Sequence, residues 1–216
     1  MMETILDRYK EMLWEENKKQ NLISRRSNRD DIDEHIADSK ALLDFIQLDN
    51  AKVIDLGSGA GFPGVIIGCY LPGISMTLVE ADGKKSGFLA RAARELNLIN
   101  ITVLQQRAEV LGQDPLYREQ YDFCTCRAVA ELRVVAEYGV PLLKTGGIMA
   151  VWKGSNYKEE TEPAQNALKS LETSIINIYE YNLPGGKKRA LVLLQKQGTT
   201  AARFPRHTGI PSKRPL

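Results

Sequence analysis

The run Val53-Ile54-Asp55-Leu56-Gly57-Ser58-Gly59-Ala60-Gly61-Phe62-Pro63-Gly64 constrains this chain more than any other segment. A short apolar strand ends at an acid and passes into closely spaced glycines, which read as a tight turn into a helix. Glycine is required where backbone must take positive φ or lie bare against a ligand. A helix starting near Pro63 or Gly64 turns its free N–H groups and partial positive charge toward that turn. Proline suits such a first turn, since its missing donor has no partner there. The segment therefore predicts a nucleotide-sized cradle at the carboxyl end of a parallel strand.

Two cofactor classes fit the cradle. Gly59, Gly61 and Gly64 satisfy the dinucleotide pattern G-x-G-x-x-G. Counted from Asp55, the segment reads D-x-G-x-G-x-G, the form found in S-adenosylmethionine (AdoMet) methyltransferases. Glu80 closes the next hydrophobic run, Met76–Val79, at a spacing that lets its carboxylate accept from ribose hydroxyls. Either cofactor carries a ribose.

The remaining pattern favours AdoMet. Met2, Ile5, Leu6, Tyr9, Met12 and Leu13 mark an amphipathic helix, and Ile32 to Ile46 mark a second. From Lys52, strands alternate with helices: 52–56, 75–80, 101–104, 123–127 and 147–152, with helices at 64–70, 84–96, 134–142 and 159–171. Thr145-Gly146-Gly147 reads as the turn entering the fifth strand. Strands 174–181 and 189–195 are joined by Leu183-Pro184-Gly185-Gly186, a connection that only an antiparallel pair allows. The expected fold is α/β, a Rossmann-like class I methyltransferase with a mostly parallel seven-stranded sheet ending in an antiparallel hairpin. The expected organisation is one domain over 1–216. Within it, 1–50 form a helical cap, 51–196 the AdoMet-binding core and 197–216 a basic tail.

Composition narrows the setting. The 216 residues carry 43% hydrophobic and 26% charged residues, enough to bury a core and stay in water. No apolar run approaches the ~18 residues of a bilayer span, and the first residues lack a leader's basic region. A cytoplasmic location is the expectation. Cys69, Cys124 and Cys126 are too scattered for a disulfide framework, and Cys124 with Cys126 read as core residues of one strand. Neither His35 nor His207 stands at metal-ligand spacing, so no metal is expected. Glu180 is the last acid, and eight Lys and Arg residues follow it. That asymmetry points to a polyanion partner. The prolines of the tail exclude a regular helix over 203–216, leaving it disordered or laid across a partner or its own domain.

Several segments together resemble one family, the bacterial rRNA small-subunit methyltransferase G (GidB) family. They are Asn21-Leu22-Ile23, His35-Ile36-Ala37-Asp38-Ser39, the Asp55–Gly64 block with Gly61-Phe62-Pro63-Gly64, and Val79-Glu80 followed by Lys84-Lys85 and Phe88-Leu89. Arg107-Ala108-Glu109, Arg127-Ala128-Val129-Ala130 and the tail around Phe204-Pro205-Arg206 complete the set. Phe204 stands where the family commonly has tyrosine. The resemblance implies methylation of N7 of guanine 527 in 16S rRNA, with AdoMet as cofactor and 16S rRNA or the 30S subunit as partner. A monomer, with no membrane partner, is expected.

Roles follow as implications of that resemblance. Asp55, Gly57, Gly59, Phe62, Glu80, Ala108, Glu109 and Arg127 would hold AdoMet. Asp55 would orient the loop or reach the cofactor's amino group through water, Phe62 would pack against the cofactor, Glu80 would take the ribose, and Ala108-Glu109 the adenine. Arg127 and Arg206 would serve catalysis by orienting substrate or cofactor. Arg25, Arg26, Lys187, Lys188, Arg203, Arg206 and Lys213 would meet RNA phosphates, with the tail contributing little to the core. Guanine N7 already bears a lone pair, so no general base is needed, and none stands out. A non-catalytic RNA-binding assembly factor, or less favourably an NAD-binding oxidoreductase, would share the cradle.

Overall fold

A computed structural model describes residues 2–24 and 28–216. The first helix, α1 (Met2–Asn17), buries Leu6, Tyr9 and Leu13 along one stripe, the 3–4 residue spacing of an amphipathic helix. The next, α2 (Arg29–Lys40), opens with a reciprocal cap: Asp31 N–H donates to Asn28 Oδ1 at 3.0 Å and Asn28 N–H to Asp31 Oδ2 at 2.8 Å. A 3₁₀ turn, Ala41–Asp44, replaces the end of the longer second helix predicted from the sequence.

The strands follow as β1 (Lys52–Leu56), β2 (Ser75–Val79), β3 (Ile101–Leu104), β4 (Tyr121–Arg127), β5 (Leu143–Gly154), β6 (Thr173–Asn182) and β7 (Lys188–Lys196). They form one seven-stranded sheet in the order β3-β2-β1-β4-β5-β7-β6. The pairs from β3 through β5 are parallel, and β7 runs antiparallel to both β5 and β6. The strand order reverses between β1 and β4, so the loops leaving these strands part and open a crevice.

Helices α3 (Gly64–Tyr70) and α4 (Gly83–Glu95) join α1 and α2 on one face. The helices α5 (Ala108–Leu111), α6 (Leu132–Gly139), α7 (Tyr157–Thr161) and α8 (Gln165–Ser170) cover the other. Alternation along the strands feeds both cores: Val53, Leu191 and Leu193 face the first, and Ile54, Ala190, Val192 and Leu194 the second.

Strand β5 and the helix expected over 159–171 also differ from the sequence reading. Strand β5 begins at Leu143 and runs through the expected turn. Tyr121 pairs with Leu143 and Phe123 with Ile148, so the extra residues form a bulge, which Gly146 permits at φ +84°. The single helix expected over 159–171 is two, α7 and α8. Pro163 lies between them, without the N–H that would continue the ladder.

The tail lies on its own domain. Arg118 donates to the carbonyls of Phe204, Thr200 and Ala201 at 2.6, 2.7 and 3.2 Å. Gln113 donates to those of Ala202 and Pro205. Phe204 is 3% exposed within the second core, and the chain ends in a short helix, α9 (Ile210–Lys213). The expectation of a tail peripheral to the core is corrected: buried apolar surface and hydrogen bonds to its carbonyls hold it. Among the described residues, no helix is long and apolar enough to cross a membrane.

Candidate active site

The glycine loop leaves β1 and enters α3 at Gly64, with Pro63 at the preceding cap position. Gly57 (φ +67°) and Gly59 (φ +56°) occupy the left-handed region. A β-carbon at Gly57 would stand 2.5 Å from Val129 Cγ2, so the close approach of these two loops requires glycine. At Gly59 the nearest heavy atom to such a carbon is Gly57 O at 3.7 Å. Its bare face is therefore open rather than packed by protein. Glu80, just past β2, accepts from Gly59 N–H at 2.9 Å through Oε2 and from Asp82 N–H at 2.8 Å through Oε1. The strand-end acid thus fixes the loop's shape.

A cavity of about 240 Å³ lies beside this loop. Gly57, Glu80, Ala108 and Glu109 line it, with Gln106, Val129 and Tyr138 among the others. Four of the predicted cofactor residues therefore converge. Glu109 is 6% exposed, and its Oε1 accepts from Gly209 N–H at 2.9 Å. Its carboxylate joins the cavity to the tail.

Gly59 lies on the loop outside this lining, and three further predicted residues sit elsewhere. Asp55 is fully buried beneath the loop, where Thr125 donates to its Oδ1 at 2.7 Å. Its Oδ2 lies 2.7 Å from where a β-carbon of Gly64 would be, and burial pushes its pKa up to about 6. Asp55 supports the loop from below and exposes no surface. Phe62, 4% exposed, packs on Tyr9 and His35 and is absent from the lining of the 240 Å³ cavity. Its ring points into the core shared by α1 and α2 and helps to dock those helices on the loop. Arg127 stands beyond the cavity, its guanidinium 5.2 Å from the Phe62 ring centre.

A second cavity, about 490 Å³, opens outside the ends of β4 and β5. His35, Asp38, Arg127, Val129, Lys153, Glu160 and Arg189 line parts of it, and Val129 belongs to both cavities. Asp38, 3% exposed, organises this wall. Arg127 Nη1 donates to its Oδ2 at 2.9 Å, and the Tyr181 hydroxyl donates to Oδ1 at 2.6 Å. Trp152 Nε1 donates to its main-chain carbonyl at 2.8 Å. Burial, helped by the nearby Arg127, pushes the His35 pKa down to about 4, so the imidazole is neutral near pH 7. The chemistry available here is alignment of a flat polar group between fixed charges.

Sequence reasoning did not assign roles to Asp38, Lys153, Glu160 or Arg189. Asp38 carried a signal, since a carboxylate on a helix's apolar side must find partners when buried. The other three become neighbours only through sheet topology.

The predicted RNA contacts differ in their local partners. Arg25 and Arg26 lie outside the described residues. Lys187 pairs with Glu34 at 2.7 Å, and Lys188 is exposed at the start of β7. Arg203 stacks its guanidinium 5.0 Å from the Phe204 ring centre, and Lys213 is exposed on α9. Arg206 is a correction. It pairs with Glu137, a fully buried acid of α6, so its charge serves the packing of the tail rather than an open surface. Among the described residues, no group of three or more His, Cys, Asp or Glu could hold a metal.

Solved structures share this fold. The M. jannaschii protein TYW2 in complex with AdoMet superposes with a TM-score of 0.60 at 14% identity, covering 76% of each chain. A SAM-dependent O-methyltransferase from Thermotoga maritima gives 0.57 at 13% identity over 76% of this chain and 66% of that one. In sequence, the Ribosomal RNA small subunit methyltransferase G of Syntrophomonas wolfei is 45% identical over 215 residues, all of both chains. The protein of the same name from Carboxydothermus hydrogenoformans is 40% identical over 98% of this chain and 91% of its own. The profile of the rRNA small subunit methyltransferase G family matches residues 2–191, and the chain belongs to that family.

Proposed function

We propose that this chain transfers the methyl group of AdoMet to N7 of guanine 527 in 16S rRNA. The observation that supports this most is the pair of cavities sharing Val129: one built on the glycine loop, Glu80 and Glu109, the other on Arg127 and Asp38. A cofactor in the first and a flipped base in the second would meet across one side chain. The residues fit AdoMet on structural grounds. The bare face of Gly59 is open, and the neighbouring acids suit hydroxyl and amine donors. When bound, AdoMet supplies an electrophilic methyl on a sulfonium.

In this reading Glu80 holds the ribose while keeping the loop in register through Gly59 N–H, and Glu109 and Ala108 flank the adenine. Phe62 and Asp55 support the loop from behind. Arg127, pinned by Asp38, forms a fixed positive wall, and the neutral His35 adds no further charge. Alignment then supplies most of the rate, because N7 attacks without losing a proton. Lys187, Lys188, Arg203 and Lys213 contact phosphates, and Arg25 and Arg26 are proposed to do the same.

The test is methyl transfer from labelled AdoMet to 16S rRNA, offered free and within the small subunit, followed by mapping of the modified base by cleavage at N7-methylguanine. A single N7-methylguanine at that position is expected. Label on another atom or base would overturn the assignment.

A further inference from the structure

Two carboxylates line the second cavity, and they are differently committed. Asp38 has both oxygens engaged, by Arg127 and by Tyr181, with Arg189 Nε a further 3.7 Å from Oδ1. Glu160, on α7, keeps 31% of its side chain exposed. Its Oε2 accepts from Leu132 N–H at 2.7 Å and from Lys153 Nζ at 2.6 Å. Its Oε1 receives no hydrogen bond among the described residues. Lys153 is itself held on β5 by the Ala130 carbonyl at 2.8 Å. One oxygen of the Glu160 carboxylate is thus fixed and the other is left without a donor, on a residue that lines the cavity.

We propose that Glu160 selects guanine, its Oε1 accepting hydrogen bonds from the N1–H and N2 amine of the target base. The proposal rests on the reading that the second cavity receives a purine to be methylated at N7. An ionised carboxylate only accepts, and guanine presents two adjacent donors on its Watson–Crick edge. Adenine, the other base with an N7, turns a lone pair at N1 toward the same oxygen. Sites built to bond a substrate donor reject an analogue lacking it strongly, because the buried acceptor is left unpaired.

The same contact favours the reaction. The N7 lone pair forms the new N–C bond, the S–CH₃ bond breaks, and its electron pair stays on the neutral thioether. The positive charge moves from sulfur to the purine ring, and no proton leaves. Charge growing on the purine makes N1–H a better donor, so its bond to Glu160 is stronger in the transition state than before it. Lys153 and Leu132 N–H hold the carboxylate in place beforehand.

The experiment uses 16S rRNA assembled by splinted ligation with guanosine or inosine at the target position, free and reconstituted into small subunits. Inosine keeps N7 and N1–H and lacks the N2 amine. For the wild-type enzyme kcat/KM is expected to fall about 10- to 100-fold on inosine, the range of a hydrogen bond to a charged group. Glu160→Gln keeps an oxygen for Leu132 and Lys153 and removes the charge. It should slow guanosine by a similar factor and treat the two bases alike within about threefold, with AdoMet affinity near wild type and a lowered melting temperature, since Lys153, 8% exposed, loses its charged partner. Equal wild-type rates on the two bases would overturn the proposal, as would a Glu160→Gln enzyme that still prefers guanosine. If that variant fails to fold, the wild-type comparison alone decides. Absence of N7 methylation on guanosine by the wild-type enzyme would instead overturn the underlying reading, and the proposal with it.

Discussion

Arg206 and Glu137 form the strongest tie between the tail and the body of the protein. Glu137 is fully buried on α6; Arg206 meets its Oε1 with both main-chain N–H and Nε, and its Oε2 with Nη2 at 2.6 Å. The bidentate fork leaves the carboxylate no unpaired face and holds the guanidinium above its usual pKa.

Arg206→Ala strips that partner from a buried charge. A loss of about 3–5 kcal/mol is expected, the usual cost of breaking such a pair from one side. Urea unfolding of the single variants and of Arg206→Ala with Glu137→Gln will measure it. The double variant should recover much of the loss. A loss below about 0.5 kcal/mol would return Arg206 to the surface residues.

Deleting residues 197–216 should lower stability and weaken AdoMet binding together. Glu109 lines the cofactor cavity and also accepts from Gly209 N–H, so removing the tail frees a wall of that cavity. Calorimetric titration with AdoMet checks this. Unchanged affinity would show that Glu109 keeps its position without the tail. The salt dependence of RNA binding should also flatten, by roughly 0.7–0.9 in log–log slope for each phosphate that the tail neutralises.

Gly59→Val should abolish AdoMet binding and leave the fold intact. The valine would have to take φ +56° and would project into the open face of the loop. Titration should show no heat of binding while circular dichroism matches wild type. Glu80→Ala should weaken AdoMet by about 1.5–3 kcal/mol, the range of a charge-assisted hydrogen bond. A change below threefold would remove Glu80 from the cofactor's contacts.

The buried Asp55 and the half-buried His35 should give opposite pH slopes. Asp55 titrates near 6 in the folded protein against 3.8 unfolded. Between those values the native state holds a proton that the unfolded state has lost, so stability falls as pH rises. The gap corresponds to roughly 3 kcal/mol above pH 6. His35 titrates near 4 against 6.5, so its contribution is lost as pH falls through that window. The stability of Asp55→Asn relative to wild type should therefore grow from pH 4 to 6 and then level. Relative to wild type, His35→Gln should gain as pH drops from 6.5. Parallel curves would refute both assignments.

The fold was largely legible because its signals are local. Asp55 to Gly64, the alternation of strands and helices, and the Pro184-Gly185-Gly186 turn each act over a few residues. The reading failed where distant contacts decide. The Gly146 bulge depends on register against β4, and the commitment of Arg206 depends on a carboxylate 69 positions away. Glu80 beside the glycine loop was visible by spacing, whereas Ala108 and Glu109 came from the resemblance. Glu160 and Lys153 were not, because β5 and α7 bring them beside Leu132 and Ala130 only in the folded sheet.

The Asp38 hub also sets an order of assembly. Glu80 reaches Gly59 across 21 positions, whereas Arg127, Trp152 and Tyr181 reach Asp38 across 89, 114 and 143. Closing the longest of these loops costs roughly 1–2 kcal/mol more chain entropy than closing the shortest. The cofactor cradle can therefore form early and alone, while the wall of the second cavity waits for the last strands. A nascent chain that stops before β7 has the glycine loop and lacks Arg189. In the mature protein, amide exchange should run faster in α2 than in β1, which lies inside the sheet between β2 and β4.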